Sequence, residues 1–289
     1  MRGRSRWQPP APSPIIRRFD VEQGTAVPKF GIVTSVDHSA AVKAAGWDFV
    51  EELVQQYLQA DVPDAQWDSP SRLSRAVLPV PASNALLPPG LKVCGPLADP
   101  AKLADYMTTI LRRAEQVGMK TIVFGSGVAR TVPDGFDRNS ARRQVLEFVQ
   151  VAADIAARHG VTLLAEPLNR GECNIINSVA EAMDYVKELN HPNFLCLVDS
   201  YHLWLEDEPL ENLRGAMPWI RHVHLADTEG RVPSGESGKH DYPAFFRVLK
   251  QAGYDRMIAV ESPGFSTETG IQSAGPRVLK FLRDAWDEA

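Results

Sequence analysis

Between residues 29 and 262 the chain alternates short apolar runs with longer stretches whose apolar positions recur at helical spacing. The β-type runs are KFGIV (29–33), DFVEE (48–52), VLPVPA (77–82), KTIVFG (120–125), VTLLAE (161–166), FLCLVD (194–199), IRHVHLAD (220–227) and MIAVES (257–262). Helical periodicity is clearest over 101–118, 139–160, 178–190 and 243–253. In the first of these, Leu103, Met107, Ile110, Leu111 and Ala114 share one stripe, and Gly118 marks its stop. Gly253 ends the fourth in the same way. Runs such as LCLV and MIAV are apolar on both faces, as parallel strands covered by helices must be. Eight such strands with intervening helices predict an α/β fold, a single (β/α)8 TIM barrel. The competing architecture, an open doubly wound sheet, would carry a Gly-rich phosphate turn after its first strand, and GIVTSVDHS is not one. The pattern is weakest over 52–76, where the second helix is poorly marked. The stretch LLPPGLKVCGP (86–96) interrupts it with loop residues and room for an additional short strand.

Composition changes this picture little. The 289 residues are 44% hydrophobic and 23% charged, enough to bury a core. Residues 1–28 are rich in Arg and Pro and are expected to form an arm outside the fold, leaving residues 29–289 for one barrel. The RRF triplet of that arm resembles an export signal, but no apolar segment follows it. A net charge of −5 gives no electrostatic footprint for nucleic acid or an acidic membrane surface. No apolar run approaches the length of a membrane span. Three cysteines (Cys94, Cys173, Cys196) without CxxC spacing argue against a disulfide framework and for a reducing cytoplasm.

The candidate chemistry lies at the ends of the late strands. In a (β/α)8 barrel those ends converge on one mouth. LLAE ends at Glu166, LCLVD at Asp199, RHVHL carries His224 and MIAVE ends at Glu261. Any one of these acids could cap a helix or pair with an arginine. Three carboxylates meeting beside an imidazole in an apolar barrel repel one another unless a cation balances them. A single divalent metal does so directly. Three oxygen donors and one imidazole suit Mn2+, which we favour, or Mg2+, Co2+ or Zn2+. Glu166 and Glu261, on either side of a substrate, are the natural pair for removing a proton from one face and returning it to the other.

The motifs AEPLNRGE, LVDSYH, HVHLAD followed by GR, and AVES resemble those of the xylose-isomerase-like sugar isomerase/epimerase superfamily. Ketose 3-epimerases and inosose dehydratases are the nearest in appearance. The resemblance extends from about Lys29 to the C-terminus and is strongest from Val161 to Ser262. It implies that Glu166, Asp199, His224 and Glu261 ligate the metal, and that Glu172, His202 and Arg231 contact sugar oxygens. It further implies a divalent-metal-dependent sugar isomerase/epimerase, most simply a ketose 3-epimerase working through a cis-enediolate with the two glutamates as acid and base. Its partner would be a small sugar or cyclitol, and homodimers or homotetramers are the assemblies to expect. One departure stands out: the family's arginine follows the ligand histidine by six residues, whereas Arg231 follows His224 by seven.

Several further residues invite a role. His222 alternates with His224 and should lie one layer deeper. Asp227 either orients an outer group or caps the next loop. Glu51 and Glu52 end the second strand, one facing the mouth and the other the helices. Trp47, Trp67 and Phe30 are candidates for an apolar wall against a sugar, and Asn84 is an outside candidate. Asp241 should cap the seventh helix beside His240. A dehydratase of the inosose type, or another lyase on a keto sugar, would start from the same proton abstraction and stays open. An abasic-site endonuclease on this barrel needs histidines from early strands, and residues 39–158 contain none. A non-catalytic sugar-binding barrel would be expected to have lost one of the ligands, and all four are present.

Overall fold

The computed structural model describes residues 27–289, so the expected arm, apart from its last two residues, lies outside the described residues. Eight parallel strands close in chain order: β1 Lys29–Val33, β2 Phe49–Leu53, β3 Ala82–Asn84, β4 Thr121–Phe124, β5 Thr162–Ala165, β6 Phe194–Asp199, β7 Ile220–Leu225 and β8 Met257–Val260. The fold is a (β/α)8 barrel. The helices Pro100–Gln116, Arg138–Arg158, Val179–Leu189 and Tyr242–Gln251 lie within two residues of their expected ranges. Each starts at an Asp or Ser (Asp99, Asp137, Ser178, Asp241) whose side chain accepts from the backbone N–H three residues on. Asp241 is therefore the cap its sequence context suggested.

The main core lies between the strands and the helices around them, and smaller clusters fill the barrel interior: Val33, Phe49 and Ala259, and Val123, Leu164 and Leu197. Gly31 makes room for the first of these, because a Cβ there would lie 2.3 Å from the Phe49 ring. A register shift between β6 and β7 sets up the mouth. Cys196 pairs with Ile220, but after the shift Leu197 pairs with His222 and Asp199 with His224. Without that extra residue, Val223 would stand beside Asp199 and both histidines would point away from the barrel axis.

Two expectations need correction. β3 is only Ala82–Asn84 rather than 77–82. Pro79 and Pro81 have no N–H to give, yet their carbonyls accept from Val50, Lys120 and Thr121, so they lead into the strand without extending it. No strand forms in 86–96, which runs as turns and bends. The weak stretch after β2 holds the short helices Val54–Tyr57 and Ser69–Arg75. None of the helices of the described residues is long and apolar enough to cross a membrane.

Candidate metal and substrate site

The residues that end β5, β6 and β8, together with one from β7, meet at the mouth. One donor atom from each of Glu166, Asp199, His224 and Glu261 lies within 4.8 Å of the others. Local structure aims each of them. Asp199 begins the helix Ser200–Leu205, and its Oδ1 accepts from the Tyr201 N–H at 2.8 Å. This leaves Oδ2 facing the cluster. Glu166 is held through its backbone: the fully buried Arg130 donates to the carbonyls of Phe124 (2.8 Å) and Glu166 (2.6 Å). Beside it Gly125 leaves room for the carboxylate as it stands, since a Cβ there would sit 2.1 Å from Glu166 Oε2.

His224 is fixed from behind. Glu51 points into the barrel, fully buried, and accepts from His222 Nε2 at 2.6 Å and His224 Nε2 at 3.0 Å. The other ring nitrogen, Nδ1, then faces Glu166 Oε1 (3.4 Å) and Glu261 Oε2 (3.3 Å). A carboxylate behind a histidine in this manner sets the ring orientation and strengthens it as a ligand. Glu52 instead faces the helices, accepting from the Val36 N–H and from Arg72. His222 lies deeper, as its alternation implied, with Nδ1 on the Met257 carbonyl.

Electrostatics at the cluster follow from burial and neighbours. Burial pushes the Glu166 and Asp199 carboxyls above the ordinary range. Glu261 goes the other way, because Arg231 and His224 outweigh its burial. Burial also opposes ionisation of Glu51 and protonation of His224, but their mutual attraction prevails, holding the acid down and the imidazole up. Two buried atoms of the cluster, Glu166 Oε1 and His224 Nδ1, face each other at 3.4 Å but make no well-formed hydrogen bond. Native proteins rarely leave such groups without a partner. A cation between them would satisfy both, so the donor set fits a divalent metal.

The residues expected to touch substrate border the same space. Arg231 donates from Nη2 to Glu261 Oε2 (2.7 Å) and Asp199 Oδ2 (3.3 Å) and lies over the Tyr201 ring. The additional residue before it is absorbed by two left-handed conformations, Gly230 (φ 66°) and Arg231 itself (φ 50°). His202 accepts at Nδ1 from the Asn169 N–H (3.0 Å), so a neutral ring carries its proton on Nε2, 3.7 Å from Asp199 Oδ2. Burial favours that neutral ring, pushing His202 down from its ordinary value. Asn169 also donates to Glu172 Oε1 at 3.0 Å. Glu172 thus stands beside Asn169, and Arg170 pairs with Glu206 instead.

A cavity of about 340 Å³ opens onto Glu166, Glu172, His202, Arg231 and Glu261. Its apolar wall comes from Ala85, Leu87, Pro89, Val128 and Leu168. Trp47, Trp67 and Phe30 take no part: the indoles donate to the Gly275 and Tyr57 carbonyls, and Phe30 sits in the main core. Asp227 shapes its own loop, accepting from Gly235, Ser237 and Tyr242. Sequence reasoning missed what Glu51, Asn169, Gly125 and Arg130 do. Paired glutamates at a strand end were the signal for the first, but only barrel closure brings β2 against β7.

Comparisons with known proteins place this geometry in a family. Over 135 residues the chain is 31% identical to a ketose 3-epimerase of Arthrobacter globiformis, a match covering 46% of this chain and 45% of that protein. The chain thus spans about half the length of that relative. It is 30% identical over 185 residues to a 2-oxo-tetronate isomerase of Cupriavidus necator, covering 61% of this chain and 69% of that one. The crystal structure of an apo 3-keto-D-glucoside 4-epimerase from E. coli superposes with a TM-score of 0.73 at 22% identity, over 89% of this chain and all of that one, and shares the fold. The model of the xylose isomerase-like TIM barrel family matches residues 39–284, and the chain belongs to that family.

Proposed function

We propose that the protein is a divalent-metal-dependent isomerase or epimerase of unphosphorylated ketoses, most simply a ketose 3-epimerase. The observation that supports this best is the pair of buried donor atoms without a well-formed hydrogen bond, Glu166 Oε1 and His224 Nδ1, inside a set of four ligand-type side chains. Glu166, Asp199, His224 and Glu261 would hold the ion, Mn2+ by preference, with Glu51 fixing His224 from behind. When bound, the ion supplies Lewis acidity that polarises a substrate carbonyl and balances the charge of a cis-enediolate.

The remaining chemistry belongs to side chains. Glu261 and Glu166, brought to the cavity from the ends of β8 and β5, are suited to take a proton from carbon and to return one to the opposite face. Arg231 keeps Glu261 aimed, while His202 and Glu172 offer a donor and an acceptor to sugar oxygens. Arg231 is the one cationic side chain lining the cavity among the described residues, and Glu261 and Asp199 already engage it. A phosphorylated sugar would find no free cationic side chain there for its phosphate. The names of the relatives above, a ketose epimerase among them, agree with sugar chemistry at such a site.

The test is a solvent-deuterium exchange screen of free ketoses and inososes with Mn2+ present. C–H exchange with a ketose is the expected result. Loss of water from an inosose would replace this reading by a dehydratase. Exchange at the wild-type rate in Glu261→Gln would remove the proposed base.

A further inference from the structure

Asn84, the last residue of β3, has a place in this site that the mechanism above leaves unused. It is 2% exposed and lines the cavity with Glu166, His202, Arg231 and Glu261. Its Nδ2 donates across the barrel to Glu261 Oε1 at 2.6 Å. That bond also fixes which way the amide faces, because its oxygen cannot lie against a carboxylate. Asn84 Oδ1 is left buried and without a partner. Burying a carbonyl without a partner is costly, and a hydroxyl donor would recover that cost. The two oxygens of Glu261 are therefore distinguished: Oε2 faces Arg231 and His224, and Oε1 faces Asn84.

Resting on the proposed ketose chemistry, we infer that Asn84 is a substrate-binding residue whose carbonyl accepts a hydrogen bond from the hydroxyl next to the reacting carbon, while its amide N–H keeps Glu261 Oε1 turned toward that carbon. For reaction at C3 of a 2-ketose, with the carbonyl at the cation-binding end, the hydroxyl read is the one on C4. The amide is anchored at its nitrogen and cannot flip to offer a donor. The site then demands a hydroxyl donor at that position and discriminates against substrates lacking one, as polar sites built around a substrate hydroxyl do.

The test compares kcat/KM for a ketohexose and its 4-deoxy analogue in the Mn2+-loaded full-length enzyme, for wild type, Asn84→Ala and the near-isosteric Asn84→Leu. The wild type is expected to prefer the hydroxylated sugar at least about tenfold. In both variants that ratio should fall to within about threefold of unity, with a lower kcat for the hydroxylated sugar as Glu261 loses its anchor. The leucine variant preserves volume, so a collapsed ratio there reflects lost hydrogen bonding and not a cavity. An active wild type that shows no preference, or whose preference survives in both variants, would overturn the role of Asn84 alone. A wild type that neither exchanges nor turns over any ketose would overturn the underlying function, and the subsite with it.

Discussion

Gly125→Ala isolates the position of one carboxylate. The added Cβ would lie 2.1 Å from Glu166 Oε2 and 3.3 Å from Glu166 Cδ. To reach even a 3.0 Å contact the oxygen must retreat by about 0.9 Å, and ordinary contact at 3.4 Å needs about 1.3 Å. The backbone at 125 is not left-handed, so alanine is tolerated there and the strain falls on the Glu166 side chain. A misplacement of about 1 Å costs about 100-fold in rate, or about 2.7 kcal/mol of transition-state stabilisation. Metal affinity should weaken as well, because coordination tolerates only about 0.2 Å. The assay pairs ketose C–H exchange with Mn2+ titration, alongside a thermal melt expected within a few degrees of wild type. Gly125→Ala with wild-type exchange and wild-type Mn2+ affinity would show that the Glu166 carboxylate is not part of the working site.

Other perturbations read separate parts of the account. Glu51→Gln sets an amide NH2 against one of two imidazole N–H groups, so Mn2+ binding should weaken about 10- to 100-fold by titration with the fold retained. Burial pushes the Glu52 carboxyl up to about 7, against the Val36 N–H and Arg72. The folded state therefore holds that proton more tightly than the unfolded chain. The associated stability is complete below the ordinary value of 4.5 and is lost as pH rises through about 7. The loss is at most on the order of 3 kcal/mol, and Glu52→Gln should flatten the profile in urea unfolding. Gly215 is exposed in the helix Leu210–Ala216, and a Cβ added there would meet nothing within 4 Å. Alanine at that position should add about 0.5–1 kcal/mol of stability by the same assay and leave activity unchanged.

Much of this arrangement is legible in the chain because the late strands are apolar and end on charged residues in step. The run from Thr162 to Glu166 shows its strand, its inward face and its ligand in five letters. Legibility fails where a local signal serves a distant partner. Pro79 and Pro81 sit in an apolar run that suggests a strand, yet neither can donate to a ladder. The closing helix Glu268–Glu288 contains Gly275 and Pro276, which disguise it. Gly275 is required by close packing, since a Cβ there would lie 2.9 Å from that of Ala45. Glu51 and Asn84 act on residues 173 and 177 positions away, a relation created only by closing the barrel. The spacing of Arg231 departs from the resemblance, and left-handed turns at two residues restore its reach.

The most direct measurement is anomalous scattering from crystals of the protein grown with Mn2+. The account predicts a single strong peak at the barrel mouth, about 2.2 Å from donor atoms of Glu166, Asp199, His224 and Glu261. A peak bound elsewhere, or no peak at saturating Mn2+, would contradict it.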